Sequence, residues 1–369
     1  MTGSNPLGLD ELRGQLDQVD AELIKLAARR QEIVSAIGQL KQGVGRQVRD
    51  FRRERQVLDH VRGRALETGL DPDLAEGLLK QLIDASLARQ EQERGQRSAR
   101  GRGRKALVIG GAGRLGGWLA DFLDNQGFSV LLADPALDSD PAEGRYADWR
   151  ELDESVDLTV VACPIAVSAS IIEQLARRGH AGLVLEVASV KSGLITALRQ
   201  AAEAGLQVCA VHPMFGPDTR LLAGRNVLLM DVGNPEAVAQ AEALFSDTMA
   251  EVHRIDIERH DRLMALVLGL SHALNIAFFT ALAESGLAAA ELNAAASTTF
   301  ARQLAIARDV AAENPALYFE IQSLNDHGQW SRDLLARALQ SLVAAVDDAR
   351  PDAFAEAMVA GRLYLEKLG

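Results

Sequence analysis

The run Gly111-Ala112-Gly113-Arg114-Leu115-Gly116 follows an apolar stretch, Ala106 to Ile109, and precedes a helical pattern formed by Leu115, Leu119, Phe122 and Leu123. A G-x-G-x-x-G turn between a strand and a helix lets the backbone approach a pyrophosphate, which the amino end of the helix then holds. The helix ends near Gly127, a second strand runs from Phe128 to Ala133, and Asp134 closes it. An acid there accepts from a ribose 2'-hydroxyl and repels an extra phosphate, so the pattern reads as a site for NAD in preference to NADP. Gly111, Gly113, Arg114, Leu115, Gly116 and Asp134 are the cofactor-binding candidates.

Further strands place polar residues beside that turn. Asp157 to Cys163 leads into Pro164-Ile165, Gly182 to Val187 delivers Ser189 and Lys191, and Gln207 to Val211 ends in His212-Pro213. In a doubly wound sheet ligands bind off the carboxyl ends of the strands, which is where Ser189 and His212 fall. Either can be an ordinary loop residue. A histidine fixed between a buried strand and a proline is nevertheless well placed as a general base, and kcat/KM for such a base rises with pH through a pKa near ~6.5 if it is unperturbed.

A second group of chemical residues interrupts helical faces near the amino terminus. Leu12, Leu16, Val19, Leu23, Leu26, Ile33, Ile37 and Leu40 repeat at spacings of three and four, apart from a gap at Arg30. One helix from Leu9 to Lys41 would span about 50 Å and requires partner helices, including a second subunit. Arg30 and Lys41 lie within about 20° of each other around it, whereas Arg13 lies about 100° away. Asp50, Arg53 and Glu54 share a face of a second helix, and Ser86 and Gln90 stand one turn apart on a third. Together they describe a polar pocket inside a helical bundle.

From Glu91 to Arg104 apolar periodicity is lost and arginine and glycine dominate, the composition of a solvated connector. The domains are therefore placed at 1–92 (helical), 93–104 (linker), 105–256 (Rossmann-type α/β) and 257–369 (helical, rich in alanine and leucine). The last comprises helices Glu258–Glu284, Leu287–Asn314, Gln329–Asp347 and Pro351–Leu368. The fold class is thus an α/β Rossmann-type domain flanked by two all-α domains. With 369 residues the chain is long enough for several cores, and its net charge of -12 argues against nucleic acid and anionic membranes as partners. No segment reads as a membrane span and the start lacks a signal peptide, which points to the cytoplasm. Cys163 and Cys209 fall in apolar strands and read as core residues; no metal site is expected.

The helical motifs LDELR, AARRQE, VRDFRRER and DASLARQ resemble the all-helical class of chorismate mutase, an intertwined dimer. The resemblance implies that Arg13, Arg30 and Arg53 bind the two carboxylates of chorismate, Arg13 coming from the other subunit. It further implies that Lys41 and Gln90 hydrogen-bond the breaking ether oxygen, that Glu54 meets the hydroxyl, and that Asp50 and Ser86 complete the site. ASVKSG and HPMFGPD resemble the NAD-dependent prephenate dehydrogenases, and the order of the whole chain resembles the bifunctional enzymes of tyrosine biosynthesis. By that likeness His212 takes the proton of the ring hydroxyl, Ser189 orients it, Lys191 acts electrostatically, and Arg308 or Arg302, upstream of Glu313-Asn314-Pro315-Ala316-Leu317-Tyr318, binds a substrate carboxylate. His260 and His272 also match family histidines, with helix packing or tyrosine control as alternative roles. The implied substrates are chorismate and prephenate, with feedback inhibition by tyrosine and a homodimer. Arogenate is an alternative substrate, and a purely dimerising role is the alternative for the first helices.

Overall fold

A computed structural model describes residues 8–42, 51–98 and 100–367. Three helices come first: α1 (Leu9–Gln42), α2 (Phe51–Thr68) and α3 (Pro72–Ser98). Asp71 caps α3 by accepting from the amides of Asp73 and Leu74, with Pro72 at the first helical position. α3 packs beside both α1 and α2. The apolar stripe of α1 stays uncovered in the single chain: Leu16 is 59% exposed, Leu26 61% and Ile33 53%. Burying such a row relative to water stabilises by about 1.5–3 kcal/mol for each large side chain fully covered, so the stripe is a surface awaiting another helix.

The expected linker is partly helix, because α3 continues to Ser98. The Glu93 carboxylate there meets Arg89 at 3.0 Å and Arg97 at 3.6 Å, both one turn away. Nor is the stretch a solvated connector throughout. Glu91 is buried; its carboxylate accepts from the amides of Leu222 (2.8 Å) and Met249 (2.5 Å) in the α/β domain. Arg100 pairs with Asp247 at 2.6 Å.

The α/β domain alternates β1 (Lys105–Ile109), α4 (Arg114–Asn125), β2 (Ser129–Ala133), β3 (Arg145–Tyr146), β4 (Leu158–Val161), α5 (Ile165–Arg177), β5 (Leu183–Glu186), α6 (Ile195–Glu203) and β6 (Val208–Pro213). It closes with β7 (Asn226–Met230), α7 (Pro235–Phe245) and β8 (Glu251–Ile255). The sheet order is β3-β2-β1-β4-β5-β6-β7-β8, parallel except between β6 and β7. Strands β1, β4, β5 and β6 are apolar because both faces are covered, one core lying on each side. His212 lies inside β6, opposite Leu228, not just beyond the strand.

The last domain begins with α8 (Ile257–Met264), which passes through a π-helical turn at Ala265–Leu270 into α9 (Ser271–Glu284). There follow α10 (Ala289–Ala294), α11 (Thr298–Ala311), α12 (Pro315–Ser323), α13 (Gly328–Asp347) and α14 (Pro351–Leu365). The single helix expected over 287–314 is two, because Ser297 caps α11 by accepting from the Phe300 amide. The expectation that no segment is apolar enough to cross a membrane also needs correction: Ile257–Glu284 is continuous helix with a mean hydropathy of 1.8 over its most apolar window. Its first turns carry buried His260 and Asp261, hydrogen-bonded to neighbouring elements of the α/β domain, which ties this helix to the dehydrogenase core.

Candidate active sites

In the helical domain α1 and α3 bring three of the expected residues together. The Arg30 guanidinium donates to the Ser86 hydroxyl and to the Leu82 carbonyl, both at 2.9 Å, and Ser86 donates to the same carbonyl at 2.7 Å. One turn on, the Gln90 amide donates to the Val34 carbonyl at 2.7 Å. Ser86 and Gln90 are buried, and burial holds the Arg30 guanidinium below its ordinary pKa. Arg13 is not part of this cluster. It is exposed beside Asp10, about 25 Å along α1 from Arg30. Asp50 and the side chains of Lys41, Arg53 and Glu54 lie outside the described residues.

At the carboxyl edge of the sheet, Gly113 stands at the cap of α4 with no side chain over the helix's free amides. A Cβ at Gly116 would collide with the Gly110 carbonyl, which is why only glycine permits this approach of helix to turn. Asp134 accepts from the amides of Ala112 (3.2 Å) and Ala136 (2.9 Å), so its carboxylate is held beside the turn. Arg114 reaches Asp218 at 2.7 Å and Glu313 at 3.1 Å, linking the turn to the HPMFGPD loop and to the last domain. A cradle of free helix amides with a fixed acid at the next strand end fits a dinucleotide.

His212 is almost wholly buried, and its Nδ1 lies 2.9 Å from His260 Nε2. His260 Nδ1 in turn lies 2.6 Å from Asp261 Oδ1. Burial lowers the pKa of both histidines, His212 well below the ordinary imidazole value, with His260 and Lys191 adding to its shift. Burial pushes the Asp261 carboxyl up, but hydrogen bonds from His260, Ser192 and the Lys191 amide outweigh it and leave the pKa lowered. The amides of Lys191 and Ser192 and the Ser192 hydroxyl all donate to Asp261, and Asn325 donates to its carbonyl at 2.8 Å. Ser189 is half-buried just beyond β5, and the Nδ1 side of His212 is taken by His260.

Lys191 is fully buried and points away from solvent. Its ammonium donates to Glu186 at 2.6 Å and to the carbonyl of Val211, next to His212, at 3.0 Å. Its role is thus internal, bracing β5 against β6. Asp261, Glu186 and Glu91 were missed from sequence, although a carboxylate closing the apolar strand LVLE and the pair His260-Asp261 were visible signals. His272 stacks on Tyr318 with centroids 4.0 Å apart, and its buried Nδ1 has no hydrogen-bond partner among the described residues. Arg302 and Arg308 are exposed on α11.

Three families match successive parts of the chain: chorismate mutase type II over residues 12–91, the prephenate dehydrogenase nucleotide-binding domain over 143–254, and the prephenate dehydrogenase dimerization domain over 256–360. The T-protein of Enterobacter agglomerans is 30% identical over 316 residues, 85% of this chain and 81% of that protein. The T-protein of Haemophilus influenzae is 27% identical over 317 residues, 85% and 80% respectively. Prephenate dehydrogenase from A. aeolicus, solved with hydroxyphenyl propionate and NAD+, shares the fold with a TM-score of 0.59 at 17% identity, over 72% of this chain and 98% of that one. Helical pocket, nucleotide turn and buried histidine thus occur in the order in which these families are joined, and the chain belongs to the T-protein family of bifunctional chorismate mutase and prephenate dehydrogenase enzymes.

Proposed function

We propose that the helical pocket rearranges chorismate to prephenate and that the second site oxidises prephenate with NAD, releasing carbon dioxide and 4-hydroxyphenylpyruvate. Arg30, Arg53 and the partner-donated Arg13 bind the chorismate carboxylates, Lys41 and Gln90 hydrogen-bond the ether oxygen, Glu54 meets the hydroxyl, and Asp50 and Ser86 complete the wall. No covalent catalyst is needed, since positioning and fixed charge suffice for a polar rearrangement. In the second site Gly111, Gly113, Arg114, Leu115 and Gly116 hold the pyrophosphate and Asp134 the ribose. NAD, when bound, accepts the hydride from the ring carbon carrying the hydroxyl. His212 receives the hydroxyl proton, and Ser189 contacts the reacting hydroxyl. Arg308 is preferred over Arg302 for the substrate carboxylate: it lies at the end of α11 nearer Glu313, which reaches the cofactor turn through Arg114.

The observation that carries this reading is His212, buried and neutral, on the same sheet edge as the cofactor turn. The full chain supplied with NAD is expected to form NADH faster from prephenate than from arogenate; faster reaction with arogenate would reassign the substrate. A homodimer is supported by the uncovered stripe on α1 and by an apolar groove of about 650 Å³ lined by Ile276, Ala277, Thr280 and Phe319 on α9 and α12. Tyrosine shares the 4-hydroxyphenyl ring of the product, which supports feedback inhibition. A cytoplasmic place fits two free cysteines and an acidic chain.

Cofactor choice gives a separable test. Asp134→Asn removes the charge and keeps a single acceptor oxygen, enough for the Ala136 amide or the Ala112 amide but not for both. Weakening a charge-assisted hydrogen bond to a neutral one loses about 1 kcal/mol, roughly fivefold in NAD affinity, and relieves repulsion of NADP. Initial rates with both cofactors should therefore converge; an unchanged preference would take Asp134 out of the ribose site.

A further inference from the structure

The hydrogen bonds around His212 leave one consistent arrangement of protons. Asp261 is a carboxylate saturated with donors: the amides of Lys191 and Ser192, the Ser192 hydroxyl and His260 Nδ1. An ionised carboxylate only accepts, so His260 carries its proton on Nδ1. Burial keeps His260 neutral, which makes its Nε2 a bare acceptor. The atom facing that acceptor at 2.9 Å is His212 Nδ1, which must therefore be the protonated nitrogen. A neutral imidazole with its proton on Nδ1 has its lone pair on Nε2.

We propose that His260 is a positioning residue that fixes the tautomer of His212, with Asp261 fixing His260 in turn, so that Nε2 of His212 is the atom that receives the substrate proton. This rests on reading His212 as the base. In the reaction the ring-hydroxyl proton moves to His212 Nε2, the hydride leaves with NAD and the carboxylate carbon leaves as carbon dioxide. His260 and Asp261 keep their own protonation. The positive charge formed on His212 is shared through Nδ1–H towards His260 Nε2 and the Asp261 carboxylate behind it. The other charges packed around the pair are Lys191 and Glu186, which neutralise one another at 2.6 Å.

Two substitutions separate hydrogen bonding from packing. His260→Gln can place an amide oxygen where Nε2 stands, whereas His260→Leu fills the space without an acceptor. Imidazole nitrogen NMR of the full chain, labelled at histidine, should show His212 of the wild type with its proton on Nδ1. The glutamine variant should keep that pattern and the leucine variant lose it. A base in the wrong tautomer forfeits most of its general-base contribution, so prephenate oxidation should fall on the order of 10²-fold in His260→Leu and by less than about tenfold in His260→Gln. Chorismate rearrangement should be unchanged in both. A wild-type spectrum with the proton on Nε2 overturns the proposal even if the leucine variant fails to fold, as does a leucine variant of normal rate. Failure of the base assignment is read separately, from activity retained by His212→Asn.

Discussion

His212→Asn is expected to reduce prephenate oxidation by about 10²- to 10⁴-fold, the usual contribution of a general base, while chorismate rearrangement continues. Asparagine preserves a polar group opposite His260 but cannot accept a proton from the substrate. NAD affinity should hold, because the Gly111–Gly116 turn and Asp134 are untouched. The pH dependence of the wild type carries equal weight. A base is active once deprotonated, so kcat/KM rises with pH through the pKa of His212. Burial, His260 and Lys191 hold that pKa well below 6.5. The rise therefore lies on the acid side of the ordinary imidazole range, and the profile should be flat from neutrality upward, which replaces the unperturbed value expected from sequence. A variant with near-normal rate, or a wild-type profile still rising above neutral pH, would remove His212 from the chemistry.

Lys191→Met is expected to destabilise the dehydrogenase part by about 3–5 kcal/mol, because it leaves Glu186 charged and alone in the core. Both side chains are wholly buried, so water cannot make up the loss. The sign of the pH dependence follows from Glu186. Burial raises its folded pKa above the unfolded value, the lysine being the main opposing influence. Without that lysine the folded state holds its proton more tightly still. The deficit should be largest above neutral pH and shrink as pH falls and Glu186 takes up a proton. The double variant Glu186→Gln, Lys191→Met should recover most of the stability, since no unpaired charge remains. Thermal unfolding across pH checks both; a single variant as stable as the double would mean that the pair is not what braces β5 and β6. Prephenate oxidation should fall in either variant, as the Val211 carbonyl beside His212 loses its donor.

What was legible in the sequence follows the range over which each interaction acts. The Gly111–Gly116 turn and Asp134 were readable because their geometry is set by a few neighbouring residues, and they stand where expected. Ser86 and Gln90 were readable from helical spacing, and both are buried against α1. The His212–His260 contact was not, because it joins residues 48 apart through a helix that follows the sheet. The end of α3 was missed for a different reason. Its last turns are polar all round and held by Arg89, Glu93 and Arg97, so they carry no apolar period to detect. The likeness of motif that points to Ser189 carries no signal for His260, which holds the Nδ1 side of His212.

Gln90 and Glu91 are consecutive on α3, about 100° apart around its axis, and each is committed to a different domain. Splicing a foreign mutase onto this dehydrogenase at the expected junction near residue 92 would keep the chain length but leave the helical phase to chance. A single residue added or lost on α3 between Gln90 and Glu91 would turn the carboxylate about 100° relative to the Arg30 cluster and strand the amides of Leu222 and Met249. A dehydrogenase freed of α3 must likewise offer those two amides to water or to a substitute acceptor. The two enzymes are thus joined in angular register as well as in sequence.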